Sequence, residues 1–104
     1  GKTDAACCDA RSSFVIDGTD VIVTPVACQP ITLVTINAGG GDVYSGALVD
    51  GTFSDATVLA GVITLDGSTA TGQNWNGEVT FTVTITTTGC TDVVQTITLT
   101  LVPS

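Results

Sequence analysis

Basic residues are nearly absent from this sequence. Lys2 and Arg11 are the only two, against ten acidic residues, and the net charge is −8. Because a surface without cations repels phosphate, we expect neither nucleic acid nor an anionic membrane surface to bind the body of the protein. No apolar run approaches the roughly 18 residues that a membrane-spanning helix needs. The sequence therefore predicts no membrane insertion.

Histidine is missing altogether. Without it, a serine or cysteine nucleophile has no conventional general base, and the commonest zinc ligand is lost. The acidic residues lie mostly at turn signals, where aspartate is common without any catalytic role. We therefore predict that this protein is not an enzyme and that it needs no cofactor.

Calcium binding is left open by the sequence, because clustered turn aspartates can supply the oxygen ligands that Ca²⁺ takes. The weak candidates lie in two short segments, Asp17 with Asp20 and Asp50 with Asp55. Neither segment follows the ligand pattern of an EF-hand. Turn formation is the favoured role of these residues.

Four cysteines, an even number in a short chain, predict a disulfide framework. Cys7 and Cys8 are adjacent while Cys28 and Cys90 stand alone, so no pair has the spacing of a zinc knuckle. Neighbouring cysteines rarely bond to each other, which leaves two connectivities. Either Cys7 pairs with Cys28 and Cys8 with Cys90, or the partners are exchanged. Because disulfides persist outside the reducing cytosol, we expect an extracellular, cell-surface or virion-surface location.

Alternation of apolar residues with threonine is the strongest structural signal. It runs through residues 78–87 (EVTFTVTITT) and 92–102 (DVVQTITLTLV), which predicts two half-buried strands joined in a hairpin. Five further segments are rich in β-branched residues and are mostly separated by turn signals containing Gly, Asp or Asn. They are residues 13–17, 20–26, 31–37, 43–49 and 57–65.

Seven short strands without helical periodicity predict an all-β fold, an Ig-like antiparallel β-sandwich of about seven strands, with a small jelly-roll or barrel as the alternative. A chain of 104 residues has room for one compact domain. We assign residues 14–104 to the sandwich and 1–13 to an N-terminal arm that carries the vicinal cysteines. The start GKTDAACC is not a secretory leader, so we expect a mature form or an expressed segment.

The hairpin of residues 78–102 resembles the last two strands of the Ig-like modules, including PKD-type repeats, of bacterial surface and adhesion proteins. Those modules often end in alternating Thr and Val strands joined by a Gly-Cys-Thr turn, and Gly89, Cys90 and Thr91 stand in that place. The immunoglobulin order of Cys, Trp and Cys is not met, because Trp75 lies far beyond Cys28. The resemblance therefore implies the sandwich architecture and not an inter-sheet disulfide.

Trp75 is the only tryptophan and lies between Asn74 and Asn76. An exposed indole beside amides could stack on a sugar ring or anchor a protein partner, which makes these three residues a candidate binding site. The favoured role is to close one end of the sandwich.

The predicted strands also lack the lysines that usually discourage edge-to-edge pairing, since no basic residue follows Arg11. An uncharged surface rich in Thr and Val is suited to packing against other copies. We therefore predict a non-enzymatic structural or interaction protein, a subunit of an extracellular filament, surface layer or virion coat of the capsid or decoration type. Its partners would be copies of itself or neighbouring surface or coat proteins. The alternative is a cell-surface adhesion module that binds a glycan or receptor.

Overall fold

The structure, a computed structural model, describes residues 7–68 and 72–102. Within those residues all regular structure is β, and none of it is a helix long and apolar enough to cross a membrane. The strands are β1 (Ala10–Asp17), β2 (Asp20–Ala27), β3 (Ile31–Ala38), β4 (Gly41–Gly46), β5 (Gly51–Thr52), β6 (Ala56–Leu59), β7 (Val62–Asp66), β8 (Gly77–Thr87) and β9 (Val93–Leu101).

The strands form two antiparallel sheets that pack as a sandwich. The five-stranded sheet has the order β1-β2-β7-β6-β5, and the four-stranded sheet has the order β4-β3-β8-β9. Strands β1, β2, β7 and β6 thus follow the A, B, E, D order of an Ig-type sheet, and β3, β8 and β9 follow the C, F, G order. The predicted all-β, Ig-like sandwich is confirmed, with nine strands in the described residues in place of about seven.

The core lies between the inner faces of the two sheets. Alternate residues of β2 and β7 are fully buried on one side, and alternate residues of β3 and β8 are fully buried on the other. Phe81 is the largest of them, and its ring contacts those of Trp75 and Phe14 at centroid distances of 5.0 and 6.5 Å. Because each such side chain contributes about 1.5–3 kcal/mol when fully buried, this layer dominates the folding free energy.

The prediction of a single strand over residues 57–65 was wrong. Those residues form most of the β6–β7 hairpin, which turns at Ala60 and Gly61 with φ values of 51° and 79°. Alanine seldom adopts a positive φ, so an Ala-Gly pair is a weaker hairpin signal than an Asn-Gly pair. The Asp50 carboxylate supports the turn by accepting a hydrogen bond from the Ala60 amide at 2.9 Å.

The sheet also begins earlier than the predicted boundary between residues 13 and 14. Strand β1 starts at Ala10, and Ser12 points inward and is buried. Alanine and serine carry little β-propensity, so this part of β1 has almost no sequence signal. Residues 1–6 of the predicted arm lie outside the described residues.

The disulfide framework is confirmed, and its pairing is Cys7 with Cys28 and Cys8 with Cys90. Cys28 follows β2 in the five-stranded sheet, while Cys90 lies in the turn between β8 and β9 of the other sheet. The two adjacent cysteines therefore fasten the entry to β1 to both layers.

Gln95 closes the side of the sandwich where the edge strands β1 and β9 meet. Its side-chain oxygen accepts a hydrogen bond from the Ser12 amide at 2.7 Å, and its side-chain nitrogen donates to the Ser12 carbonyl at 3.1 Å. A side-chain amide has the donor and acceptor of a peptide group, so Gln95 satisfies β1 as a neighbouring strand would. The two sheets are thereby bonded at one point along this side.

Removing the disulfide that closes the longer loop should destabilise the protein more than removing the disulfide that closes the shorter loop. The sequence separations are 82 residues for Cys8–Cys90 and 21 for Cys7–Cys28. Chain entropy then predicts losses of about 4.5 and about 3 kcal/mol for the paired Cys→Ser variants. Urea unfolding without reductant measures both. Equal losses, or a larger loss for the short loop, would contradict this account.

Replacing Gln95 with Met should lower the free energy of unfolding by about 1–3 kcal/mol, because it keeps the side-chain length but leaves the Ser12 backbone groups without their partner. Ser12→Ala is the matched control. It retains both backbone groups and removes a buried hydroxyl that has no hydrogen-bond partner, so stability should stay the same or rise. Thermal unfolding of both variants distinguishes the backbone bridge from ordinary packing of this edge.

Candidate interaction surfaces

Trp75 is buried at one end of the sandwich. It is 8% exposed, and its ring meets Phe81 edge to face at 5.0 Å. The Trp75 amide donates a hydrogen bond to the Gly67 carbonyl at 3.0 Å, and the Gly67 amide donates to the Thr19 carbonyl at 3.1 Å. These contacts join the β7–β8 connection to the β1–β2 turn and give Trp75 the capping geometry.

The candidate binding site of Trp75, Asn74 and Asn76 is therefore not assembled as one exposed surface. Both asparagines are exposed, but the indole faces that a sugar would need are covered by the core. Asn74 takes a positive φ of 46°, a conformation that asparagine tolerates better than most residues. Its position thus has a backbone explanation that needs no ligand.

Asp17 and Asp20, the first pair of calcium candidates, lie beside each other across the β1–β2 hairpin, and Asp66 of β7 pairs with Asp20 on its other side. These three residues form an acidic row at the end of the five-stranded sheet. Partial burial, followed by repulsion from Asp66 and Asp17, raises the pKa of Asp20. A raised pKa means that this group makes the folded state less stable as pH rises through it.

The second pair, Asp50 and Asp55, has structural roles within the five-stranded sheet. The Asp50 carboxylate is directed to the Ala60 amide, and the Asp55 carbonyl accepts a hydrogen bond from the Asp66 amide at 2.9 Å. Among the described residues, the one group of three potential ligands with close donor atoms is Cys7, Asp9 and Cys28. Its two sulfurs are bonded to each other, so this group offers a metal no thiolate.

A shallow depression of about 650 Å³ lies beside the disulfides. Arg11 and Asp9 contribute its charged groups, and its remaining lining is alanine, valine and the bonded cysteines. Because both cysteines are in disulfides, the depression contains no thiol nucleophile.

The outer face of the four-stranded sheet is covered mainly by hydroxyl groups, and we call it the hydroxyl face. Thr80 and Thr98 lie opposite each other with hydroxyl oxygens 2.9 Å apart, and Thr35 contacts Ser45 at 3.0 Å. Threonines of β8 thus lie opposite threonines of β9, in the hairpin that the alternation of residues 78–87 and 92–102 predicts. The members of this face in β3, β4, β8 and β9 are Leu33, Thr35, Asn37, Ser45, Thr80, Thr82, Thr84, Thr86, Val94, Thr96, Thr98, Thr100 and, at the end of β8, Glu78.

Acidic residues are confined to the ends of the strands. Each one in the described ranges lies within two residues of a strand end, in a turn, or in both. The central parts of both outer faces are consequently uncharged. These residues are Asp9, Asp17, Asp20, Asp42, Asp50, Asp55, Asp66, Glu78 and Asp92.

Adding one methyl group at Gly67 should disturb the Trp75 end. A Cβ there would overlap Cε3 of Trp75 and lie 2.6 Å from the Thr19 carbonyl oxygen. Gly67→Ala should lower the free energy of unfolding by about 1–3 kcal/mol and alter the near-UV circular dichroism of the indole. Gly41→Ala is the control, because a Cβ at Gly41 meets nothing within 4 Å. Similar stability of the two variants would argue against close packing at this end.

In comparisons with known proteins, no family model, curated protein or solved structure matches the chain.

Proposed function

We propose that this protein is a non-enzymatic structural subunit that assembles with copies of itself or with neighbouring proteins of an extracellular filament, surface layer or virion coat. The observation that carries the proposal is the separation of charge from the sheet faces. Nine acidic residues lie at strand ends in the described ranges, and the faces between them are neutral. Copies can therefore approach face to face without opposing like charges at the centre of the contact.

The hydroxyl face supports this proposal because its central part is uncharged and mixes hydroxyl with methyl groups. Some of its hydroxyl groups bond to each other within the sheet, as Thr80 does with Thr98 and Thr35 with Ser45, which lowers the cost of covering those pairs. Threonine methyl groups between the hydroxyls supply apolar area. Lysine, which natural sheets place on exposed strands to prevent association, is absent from it.

The disulfides support the proposed location. Two bonds with no free cysteine in the described residues indicate a non-reducing environment, such as the extracellular space. Placement on a cell surface or virion is the part of the proposal that goes further, and it follows from the assembly role.

The alternative of an adhesion module that binds glycans has lost its strongest feature. It depended on an accessible indole, and Trp75 is buried against Phe81. A glycan site elsewhere would have to work without an exposed tryptophan in the described residues. Assembly is therefore the function that the surfaces favour.

The assembly role predicts that the purified, oxidised full chain forms filaments, sheets or closed particles without any added ligand. Size-exclusion chromatography over a concentration series and negative-stain electron microscopy measure this. Thr96→Lys together with Thr98→Lys, in the middle of edge strand β9 on the hydroxyl face, should reduce the assembled fraction at least tenfold because the substitutions bring like charges together.

The matched control adds the same two charges away from both sheet faces. Ser54→Lys with Asn76→Lys changes exposed loop positions, and assembly should persist in this variant. A wild-type chain that remains monomeric at high concentration and binds a glycan array would overturn the proposal in favour of the adhesion role.

A further inference from the structure

The outer face of the five-stranded sheet differs from the hydroxyl face because it exposes large apolar side chains. Val15 is 55% exposed and Leu59 is 65% exposed, although both lie in strands. On the hydroxyl face, Val94 is 61% exposed and Leu33 is 39% exposed, but strand β8 separates them, so they are not neighbours. Exposed apolar residues matter when they are contiguous, so their register decides the issue.

The register makes these side chains neighbours. Val15 of β1 pairs with Ile22 of β2, and Leu59 of β6 pairs with Val62 of β7. Ile22 pairs with Thr64, which lies two residues from Val62 on the same face of β7, so Ile22 and Val62 are diagonal neighbours. Val15, Ile22, Val62 and Leu59 therefore form one apolar patch that crosses four adjacent strands.

Opposite charges border this patch at its two ends. Arg11 lies on the same face of β1 as Val15, at the end near the disulfides, and the acidic row of Asp17, Asp20 and Asp66 lies at the other end. Arg11 and Asp17 are separated by six residues of one strand, or about 20 Å. Arg11 is the only basic residue among those described.

We infer that this patch binds the same patch of a second copy of the chain, with the strands of the two copies antiparallel. The contact is isologous, so one two-fold axis in the plane of the interface relates the copies. An axis parallel to the strands would stack one acidic row on the other. An axis perpendicular to the strands places Arg11 of each copy opposite Asp17 of the other, which makes the charges complementary as the apolar patches meet.

The size of the face limits the strength of this contact. The four strands are about 4.8 Å apart and contain 8, 8, 5 and 4 residues of about 3.4 Å each, which gives roughly 400 Å² per copy, or about 800 Å² in total. Stable specific interfaces usually bury about 1,200–2,000 Å². The dimer is therefore weak on its own and gains strength where other contacts hold the copies together. The inference deepens the proposed function, on which it rests for the premise that copies of this chain meet.

The first test compares two lysine substitutions at similarly exposed positions on opposite faces. Leu59→Lys lies in the patch and Val94→Lys lies on the hydroxyl face. In sedimentation equilibrium of the oxidised full chain, wild type should show a concentration-dependent dimer. Leu59→Lys should raise the dissociation constant of the dimer at least tenfold, and Val94→Lys should change it less than twofold. A monomeric wild type up to millimolar concentration, or equal effects of the two variants, would overturn the inference.

The second test is a charge exchange that reports the orientation. Arg11→Asp and Asp17→Arg should each weaken the dimer at least threefold, and the double variant should return to within twofold of wild type. If only net charge mattered, Asp17→Arg would instead strengthen the dimer, because it reduces the overall negative charge. That result, or no recovery in the double variant, contradicts the antiparallel contact.

The two proposals fail separately. Both proposals are supported if Thr96→Lys with Thr98→Lys abolishes the larger assemblies but leaves a dimer, and if Leu59→Lys weakens that dimer. A dimer without any larger assembly supports the patch contact and contradicts the assembly role. Assemblies unaffected by Leu59→Lys in their dimer contact support the assembly role alone.

Discussion

Every strand of a two-layer sandwich has to bury alternate side chains against the opposite sheet and leave the others outside, and the rest of this structure follows from that constraint. The inner positions are filled by large apolar residues such as Phe81, Ile36 and Ile63, all fully buried. The outer positions must be covered by what remains, and charged residues make up only 12% of this chain. Threonine covers most of the four-stranded sheet because it tolerates a half-exposed strand, while aspartate is disfavoured within strands and favoured at turns. Neutral faces and acidic ends are therefore two results of one composition.

Much of the fold could be predicted because it depends on local alternation. The alternation of threonine with apolar residues predicts the hairpin of residues 78–102, which corresponds to β8 and β9. The sequence could not choose between two disulfide pairings, because loop lengths allow both. The sequence analysis also missed the turn at Ala60, whose backbone adopts a conformation that glycine or asparagine usually takes.

Long-range features had no signal in the sequence. The bridge between Gln95 and Ser12 joins residues 83 positions apart and requires only one ordinary glutamine. The exposure of Trp75 could not be predicted for a related reason, since only tertiary packing decides whether its indole faces solvent or Phe81.

The two outer faces are chemically different, and this matters for the kind of assembly that a single chain can form. A contact through the apolar patch is self-complementary and closes after two copies. A contact through the hydroxyl face lies on the opposite side of each copy, so it remains available to paired molecules. Two unlike faces on one thin sandwich thus allow pairs to join further pairs, whereas a single self-complementary face would stop at a dimer. The acidic strand ends then line the margins of such an arrangement, where repulsion between neighbours is screened by salt.

The disulfide between Cys8 and Cys90 also determines how the molecule responds to tension. A force applied on either side of the body enters at the vicinal cysteines and passes directly to the β8–β9 turn, because the covalent bond spans 82 residues of sequence. The loop between these cysteines, which contains β1 to β8, therefore carries no load as long as the bond is intact. Among the described residues, the segment that follows Cys90, which is β9 and its flanking residues, lies outside this loop and can be drawn out. The twelve residues after Cys90, up to Val102, span about 40 Å at most when fully extended. A protein built in this way yields by peeling one edge strand, while the disulfide keeps β1 to β8 within one covalently closed loop.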